Sequence, residues 1–117
     1  MKENILFDKA LAFGVRILRL SQLLEEQKQS IIAKQILRSG SSIGANISES
    51  EYAVSNADFI NKLQIARKEA NETRYWLLLL FEAKLLEEKL FNSISADLEV
   101  LIKILAVSVM TAKKKKD

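Results

Sequence analysis

The 117-residue sequence contains no cysteine, no histidine and no proline, and it has only three glycines. Without cysteine and histidine the chain has no disulfide, no ordinary zinc site, no Ser-His-Asp triad and no Cys or His nucleophile. Without proline and with little glycine, it lacks the residues that most often break helices. The sequence therefore excludes the commonest catalytic chemistries and favours an all-α protein.

The chain also has little excess charge of either sign. It has 18 basic and 15 acidic residues, a net charge of +3. Four of the basic residues are the lysine run 113–116, and without residues 113–117 the basic and acidic residues are equal in number. The basicity is therefore confined to a short tail. This tail is either a flexible arm that contacts RNA, DNA or an anionic lipid surface, or a solubilising helix end.

No targeting or membrane-spanning segment is evident. Residues 1–10 contain four charged side chains, whereas a signal peptide has an uninterrupted apolar region. Residues 100–110 are rich in apolar side chains, but Lys103 interrupts them and they are shorter than the ~20 residues that a spanning helix needs. We therefore expect a cytoplasmic protein without a membrane partner. A helix at 100–112 lying on a membrane surface is the alternative.

Apolar residues recur at spacings of three and four through four segments, a pattern typical of helices with a buried face. Short connections make consecutive helices antiparallel neighbours. The sequence thus predicts one all-α domain over 1–117, an antiparallel up-down-up-down four-helix bundle with a flexible basic tail at 113–117. The exact start of the fourth helix is left open, because residues 87–91 fit a turn as well as a helix. The predicted helices are residues 5–25, 31–51, 56–84 and 90–112.

The second helix contains a run of small residues at 39–45, including two of the three glycines. Glycine costs about 1 kcal/mol relative to alanine in a helix interior, so propensity argues against a helix here. The isoleucines on either side share one helical face, which favours a continuous helix. We predict continuity, because small residues let a neighbouring backbone approach closely.

Apolar residues cover more than half the circumference of the first, third and fourth helices. A four-helix monomer needs only one apolar stripe on each helix, and a helix that is apolar on most sides is normally buried on most sides. Exposed surface of that extent would favour aggregation. The sequence therefore predicts a homo-oligomer whose stability depends on assembly.

Two stretches of the sequence resemble a known family. Residues 35–49, with the sequence QILRSGSSIGANISE, and residues 55–59, with the sequence SNADF, resemble the signature of the four-helix-bundle proteins named after intervening sequences in bacterial 23S rRNA genes. Further matches lie at 65–66, 69–73 and 76–77. The resemblance implies a cytoplasmic bacterial bundle that assembles as a ring-shaped homopentamer and has no defined biochemical function. Relatives include the accessory subunit of diversity-generating retroelements, which implies a reverse transcriptase or nucleic acid as a partner.

Basic side chains are concentrated in residues 9–38, which carry a local charge of +4. Such side chains repeated around a ring would attract phosphate groups, which dominate nucleic-acid affinity. The alternative is an ordinary solvated surface balanced by Glu69 and Glu72. The candidate residues for RNA or DNA binding are Arg16, Arg19, Lys34, Arg38, Arg67 and Arg74.

A polar stripe follows the isoleucine face of the second helix at helical spacing. Buried polar groups need hydrogen-bond partners, so this stripe is expected to set the register of the second helix against the first and third. The alternative is a ligand pocket. The stripe consists of Arg38, Ser42, Asn46 and Glu49.

The only enzymatic alternative uses Glu69 and Glu72, which share a helix face. With Glu49 or Asp58 they could bind Mg²⁺, as in all-α nucleotide pyrophosphohydrolases. Those enzymes need several acidic residues converging from two helices, whereas this chain offers one clear pair. We therefore expect a non-enzymatic homo-oligomeric scaffold or binding module without a metal or cofactor.

Overall fold

The structure, a computed structural model, describes residues 4–115. Every regular element in this part of the chain is an α helix. Each helix packs against the next and α4 packs against α1, whereas the diagonal pairs α1–α3 and α2–α4 have no Cα atoms within 8 Å of each other. The result is a four-helix bundle 49 Å long. The helices are α1 (Ile5–Glu26), α2 (Ser30–Ser50), α3 (Asn56–Glu82) and α4 (Glu88–Lys113).

Local backbone chemistry determines where α3 ends and α4 begins. Lys84 has a φ of 61°, in the left-handed region, and the following amide, Leu85 N, donates back to Leu80 O at 2.9 Å. This terminates α3 two residues before the predicted end at 84. Glu87 is extended, so α4 begins at Glu88, two residues before the predicted start.

The start of α3 is capped by side-chain hydrogen bonds. Ser55 Oγ accepts a hydrogen bond from Asp58 N at 3.0 Å, and Asp58 Oδ2 accepts one from Val54 N at 3.2 Å. At the other end of the chain, Lys113 is the last residue of α4 and Lys115 is exposed. Residues 116–117, the end of the predicted tail, lie outside the described residues.

The core is built from one apolar stripe on each helix. On α1 the buried residues recur at spacings of three and four, and the same spacing places leucines of α4 opposite them. Phe81 of α3 stacks on Phe91 of α4 with ring centroids 4.5 Å apart, which closes one end of the α3–α4 interface. The buried α1 stripe is Ala10, Phe13, Ile17, Leu20 and Leu24.

The small-residue run lies in an unbroken part of α2 and packs closely against α1 at Gly40. A Cβ placed on Gly40 would lie 2.7 Å from Ile17 Cγ2, closer than side-chain atoms can pack. Glycine therefore allows the two helices to meet at this point. The helix propensity lost at Gly40 is offset by the burial of Ile17, which is fully enclosed.

A pair of buried hydroxyl groups joins α2 to α3. Ser39 Oγ and Thr73 Oγ1 lie 2.8 Å apart, and both residues are completely buried. Thr73 Oγ1 also lies 2.8 Å from Glu69 O, and Ser39 Oγ is 3.4 Å from Ile36 O, so neither hydroxyl lacks a partner. Since a buried polar group without a partner is destabilising, this contact favours a single register of α2 on α3.

The Gly40→Ala substitution is expected to lower the free energy of unfolding by about 1–3 kcal/mol, because the added methyl group overlaps Ile17. Gly44→Ala is the matched control, since its Cβ would lie 3.6 Å from Ala10, an ordinary contact. The control should be neutral or stabilising by up to about 1 kcal/mol, because alanine is the better helix former. Urea unfolding of both variants measures the difference. Equal unfolding midpoints would contradict the close contact at Gly40.

Candidate functional site

Two of the six predicted nucleic-acid-binding residues form ion pairs with α4. Arg16 Nη1 on α1 lies 2.8 Å from Asp97 Oδ2 on α4. Arg74 on α3 donates through Nε and Nη2 to the two carboxylate oxygens of Glu99 on α4, at 2.9 and 2.8 Å. This double hydrogen bond holds the pKa of Glu99 below its usual value. Each ion pair neutralises one of the arginines that the sequence predicted to bind a phosphate backbone.

A third predicted residue, Arg38 of α2, contacts two carboxylates of α3. Its Nη2 donates to Glu72 Oε2, and its Nη1 lies 3.3 Å from Glu69 Oε1. Glu72 Oε2 also accepts a hydrogen bond from the indole N–H of Trp76 at 3.0 Å. The hydrogen bond from Trp76, followed by that from Arg38, lowers the pKa of Glu72. The guanidinium of Arg38 therefore already pairs with the two carboxylates that the magnesium-dependent hydrolase alternative required.

The acidic residues offer no second set of metal ligands. Within residues 4–115, no three acidic side chains are placed close enough together to hold a metal ion. Of the two proposed additional ligands, Glu49 lies 3.2 Å from Lys62 Nζ, and Asp58 accepts a hydrogen bond from Val54 N in the cap of α3. The geometry thus gives no support to a magnesium-dependent hydrolase at Glu69 and Glu72.

The other three predicted residues have no acidic side chain within ion-pair distance in the described part of the chain. Arg67 is half-buried, and its Nη1 donates to Gln64 Oε1 at 3.2 Å. Arg19 on α1 and Lys34 on α2 are exposed on adjacent helices. Arg19 also lines a shallow pocket with Arg16. Among the six candidate residues, Arg19 and Lys34 are therefore the exposed ones without an ion-pair partner in the described part of the chain.

The predicted polar stripe lies at the edge of the α2–α3 interface and not in the core. Asn46 Nδ2 donates within α2, to Ser42 O at 2.9 Å and to Ser42 Oγ at 3.1 Å. The two ends of the stripe, Arg38 and Glu49, are exposed and pair with α3. Its hydrogen bonds and ion pairs within the described residues do not reach α1. The buried polar contact is the hydroxyl pair of α2 and α3, which the sequence did not single out.

A groove between α1 and α2 is lined largely by apolar side chains. Its volume is about 580 Å³. Leu11, Val15 and Leu18 of α1 are 45–57 % exposed and form one wall. We call this concavity the α1–α2 groove. Its remaining lining includes Phe7, Gly14, Leu37, Ser41, Gly44 and Ala45.

Apolar side chains are also exposed on the other two helices. Tyr75, Leu78 and Leu79 form a patch near the end of α3. Val100, Val107 and Met110 of α4 are 43–59 % exposed and follow one side of that helix. We call these three residues of α4, with the half-buried Ile104 between them, the α4 stripe. None of the helices in residues 4–115 is long and apolar enough to cross a membrane.

The fold and the helix-two signature agree with the comparisons to known proteins. Residues 2–107 match the family model of 23S rRNA-intervening sequence proteins. The chain belongs to this family. It is similar to a crystal structure of a protein of unknown function from the S23 ribosomal protein family of Bacteroides thetaiotaomicron. The two are 51 % identical with a TM-score of 0.88, over 90 % of this chain and 98 % of that one.

The resemblance read from residues 35–77 is therefore confirmed, as is the all-α four-helix architecture. No curated protein matches the chain. The family description and the Bacteroides relative name no enzymatic activity.

The single tryptophan should report the ionisation of Glu72. The folded-state pKa of Glu72 lies below its ordinary value of 4.5, so its ionised form stabilises the fold above that value. This stabilisation is lost as the pH falls through the lowered pKa. We expect a Trp76 fluorescence transition with a midpoint below pH 4.5 that disappears in Glu72→Gln. Glu99→Gln is the control, because Glu99 pairs with Arg74 and should leave the transition in place. An unchanged transition in Glu72→Gln would contradict the assignment.

Proposed function

We propose that this member of the 23S rRNA-intervening sequence family is a non-enzymatic cytoplasmic scaffold or binding module that assembles as a ring-shaped homo-oligomer. The observation that carries the proposal is the amount of apolar surface left exposed by a bundle whose core is already complete. Leu11, Val107 and Met110 are each more than half exposed. Monomeric proteins rarely leave several such clusters in water, whereas subunits of an oligomer bury them.

The core itself argues that these clusters are surplus to folding. Each helix contributes a buried stripe, and every buried side-chain polar atom in the described residues has a hydrogen-bond partner. The exposed residues of α1, α3 and α4 lie outside those stripes. Their burial therefore requires another molecule. The family resemblance supplies the number of copies, five.

Native mass spectrometry at micromolar concentration tests the assembly. The expected species has five times the 13.3 kDa mass of the chain. Size-exclusion chromatography with light scattering provides an independent mass in solution. A monomer in both measurements would contradict the oligomeric scaffold, and a closed assembly of four or six copies would contradict only the number.

Contact with RNA or DNA is a narrower form of the same proposal. It is supported by Arg19 and Lys34, the two of the six candidate residues that are exposed and have no ion-pair partner among the described residues. A ring repeats this pair once per subunit, and phosphate contacts add in their effect on affinity. The resemblance to the retroelement accessory subunit adds a reverse transcriptase as a candidate protein partner.

An electrophoretic mobility shift with single-stranded RNA and duplex DNA tests this contact. The Arg19→Ala/Lys34→Ala variant should bind more weakly, with a smaller dependence of log affinity on log salt, because two phosphate contacts are lost. The Arg16→Ala/Arg74→Ala variant is the charge-matched control, since both of these arginines already pair with carboxylates. Equal loss in both variants would indicate a general charge effect. The absence of any shift by the parent protein at physiological salt would contradict nucleic-acid binding.

A further inference from the structure

We propose that the α4 stripe of one copy occupies the α1–α2 groove of the next copy. The inference rests on the assembly proposed above and identifies the two surfaces that meet in it. The contact is heterologous, because the groove and the stripe are different parts of the chain. Heterologous contacts generate rings when the rotation between subunits closes.

Gly14 is the first observation in favour of an occupied groove. It lies in the middle of α1, where glycine is less favourable than alanine. A Cβ at this position would meet no atom within 4 Å, so packing within the described chain does not require glycine here. Gly40, by contrast, is required by Ile17. A side chain from outside that approaches the groove floor accounts for the missing Cβ of Gly14.

The α4 stripe has the chemistry that the groove needs. The groove is walled by leucine and valine side chains and floored by glycine, alanine and serine, so it accepts apolar side chains of moderate size. Val100, Val107 and Met110 project from one side of α4, with Ile104 between them. Each surface is exposed in the single chain, and each would be covered by the other.

The two surfaces also overlap in height along the bundle. The Arg16–Asp97 ion pair aligns antiparallel α1 and α4, and Val100 shares a shallow pocket with Lys9 and Phe13. The stripe therefore begins beside the middle of the groove, which spans residues 7–18 of α1. A rotation about an axis parallel to the helices preserves height. Repetition of the contact about such an axis gives a ring, when the rotation closes, and not a rising filament.

The position of α4 supports closure as well. This helix packs on α1 and α3 but not on α2, so it occupies the corner of the bundle diagonal to α2. The groove faces outward between α1 and α2. The stripe and the groove therefore do not lie on the same side of the bundle. Because the stripe lies on the outward corner formed by α4, the two surfaces are not directly opposite each other either. Each added subunit turns relative to the last.

Charge complementarity supplies a specific contact. Lys103 is exposed on the same face of α4 as Val107 and Met110, and Asp8 is exposed on the same face of α1 as Leu11 and Val15. Neither has an ion-pair partner among the described residues. Measured from the Arg16–Asp97 pair, Asp8 and Lys103 lie at nearly the same height. We assign them as partners across the contact.

The first test fills the groove with Gly14→Leu. A Cβ at this position meets no atom within 4 Å in the single chain and leucine favours a helix, so helicity by circular dichroism should be retained while the oligomer is lost in native mass spectrometry. Asn61→Leu adds the same side chain to an exposed position on α3, outside both surfaces, and should assemble like the parent. Assembly of Gly14→Leu at the parent mass would overturn the proposal.

The second test is a charge exchange, which keeps the proposal falsifiable should Gly14→Leu fail to fold. Asp8→Lys and Lys103→Asp should each raise the concentration at which the oligomer dissociates, and the double variant should restore it toward the parent value. The pairing would be overturned if the effects of the two substitutions on the dissociation concentration simply added in the double variant. A monomeric parent chain would overturn the assembly itself, whereas an oligomeric parent unaffected by either test would overturn only the proposed surfaces.

Discussion

The close approach of α1 and α2 at Gly40 is the constraint on which the rest of the structure depends. Because no side chain separates the helices there, Ile17 is enclosed and the neighbouring small residues of α2 are drawn against α1. The adjacent Ser39 is turned toward α3, where its hydroxyl meets Thr73. One small-residue segment thus sets the spacing of α2 from α1 and its register on α3. The groove between α1 and α2 is the outward side of the same contact.

Several charged side chains on the surface form ion pairs within the bundle and are therefore less available to a partner. Three arginines each pair with a carboxylate on a neighbouring helix, so their charge is largely cancelled locally. They are Arg16, Arg38 and Arg74. Exposed ion pairs of this kind contribute little to stability, about 0–1 kcal/mol each, but they change which cations remain accessible. Exposed apolar area is the most prominent remaining feature of the surface. The proposed function therefore depends on assembly, and nucleic-acid contact is secondary to it.

The spacing of apolar residues predicted the helices, because the residues that become buried recur every three or four positions along each segment. The stripe from Ala10 to Leu24 and the continuity of α2 follow from residue spacing alone. Helix ends were less accurate at α3 and α4, because a left-handed Lys84 has no distinctive sequence signal. The candidate site was predicted least well. Residue spacing placed Arg38 and Arg74 on helix faces but could not show that Glu72 and Glu99 lie opposite them on other helices.

The sequence by itself determined the all-α class, the family, the absence of cysteine and histidine chemistry, and an excess of apolar surface. These depend on composition and local spacing, which need no knowledge of neighbouring helices. Only the tertiary structure decided which cations are neutralised, that Glu69 and Glu72 face an arginine, and that Gly40 is required by packing while Gly14 is not. Such facts depend on distances between segments far apart in the chain, and these distances are set when the helices pack.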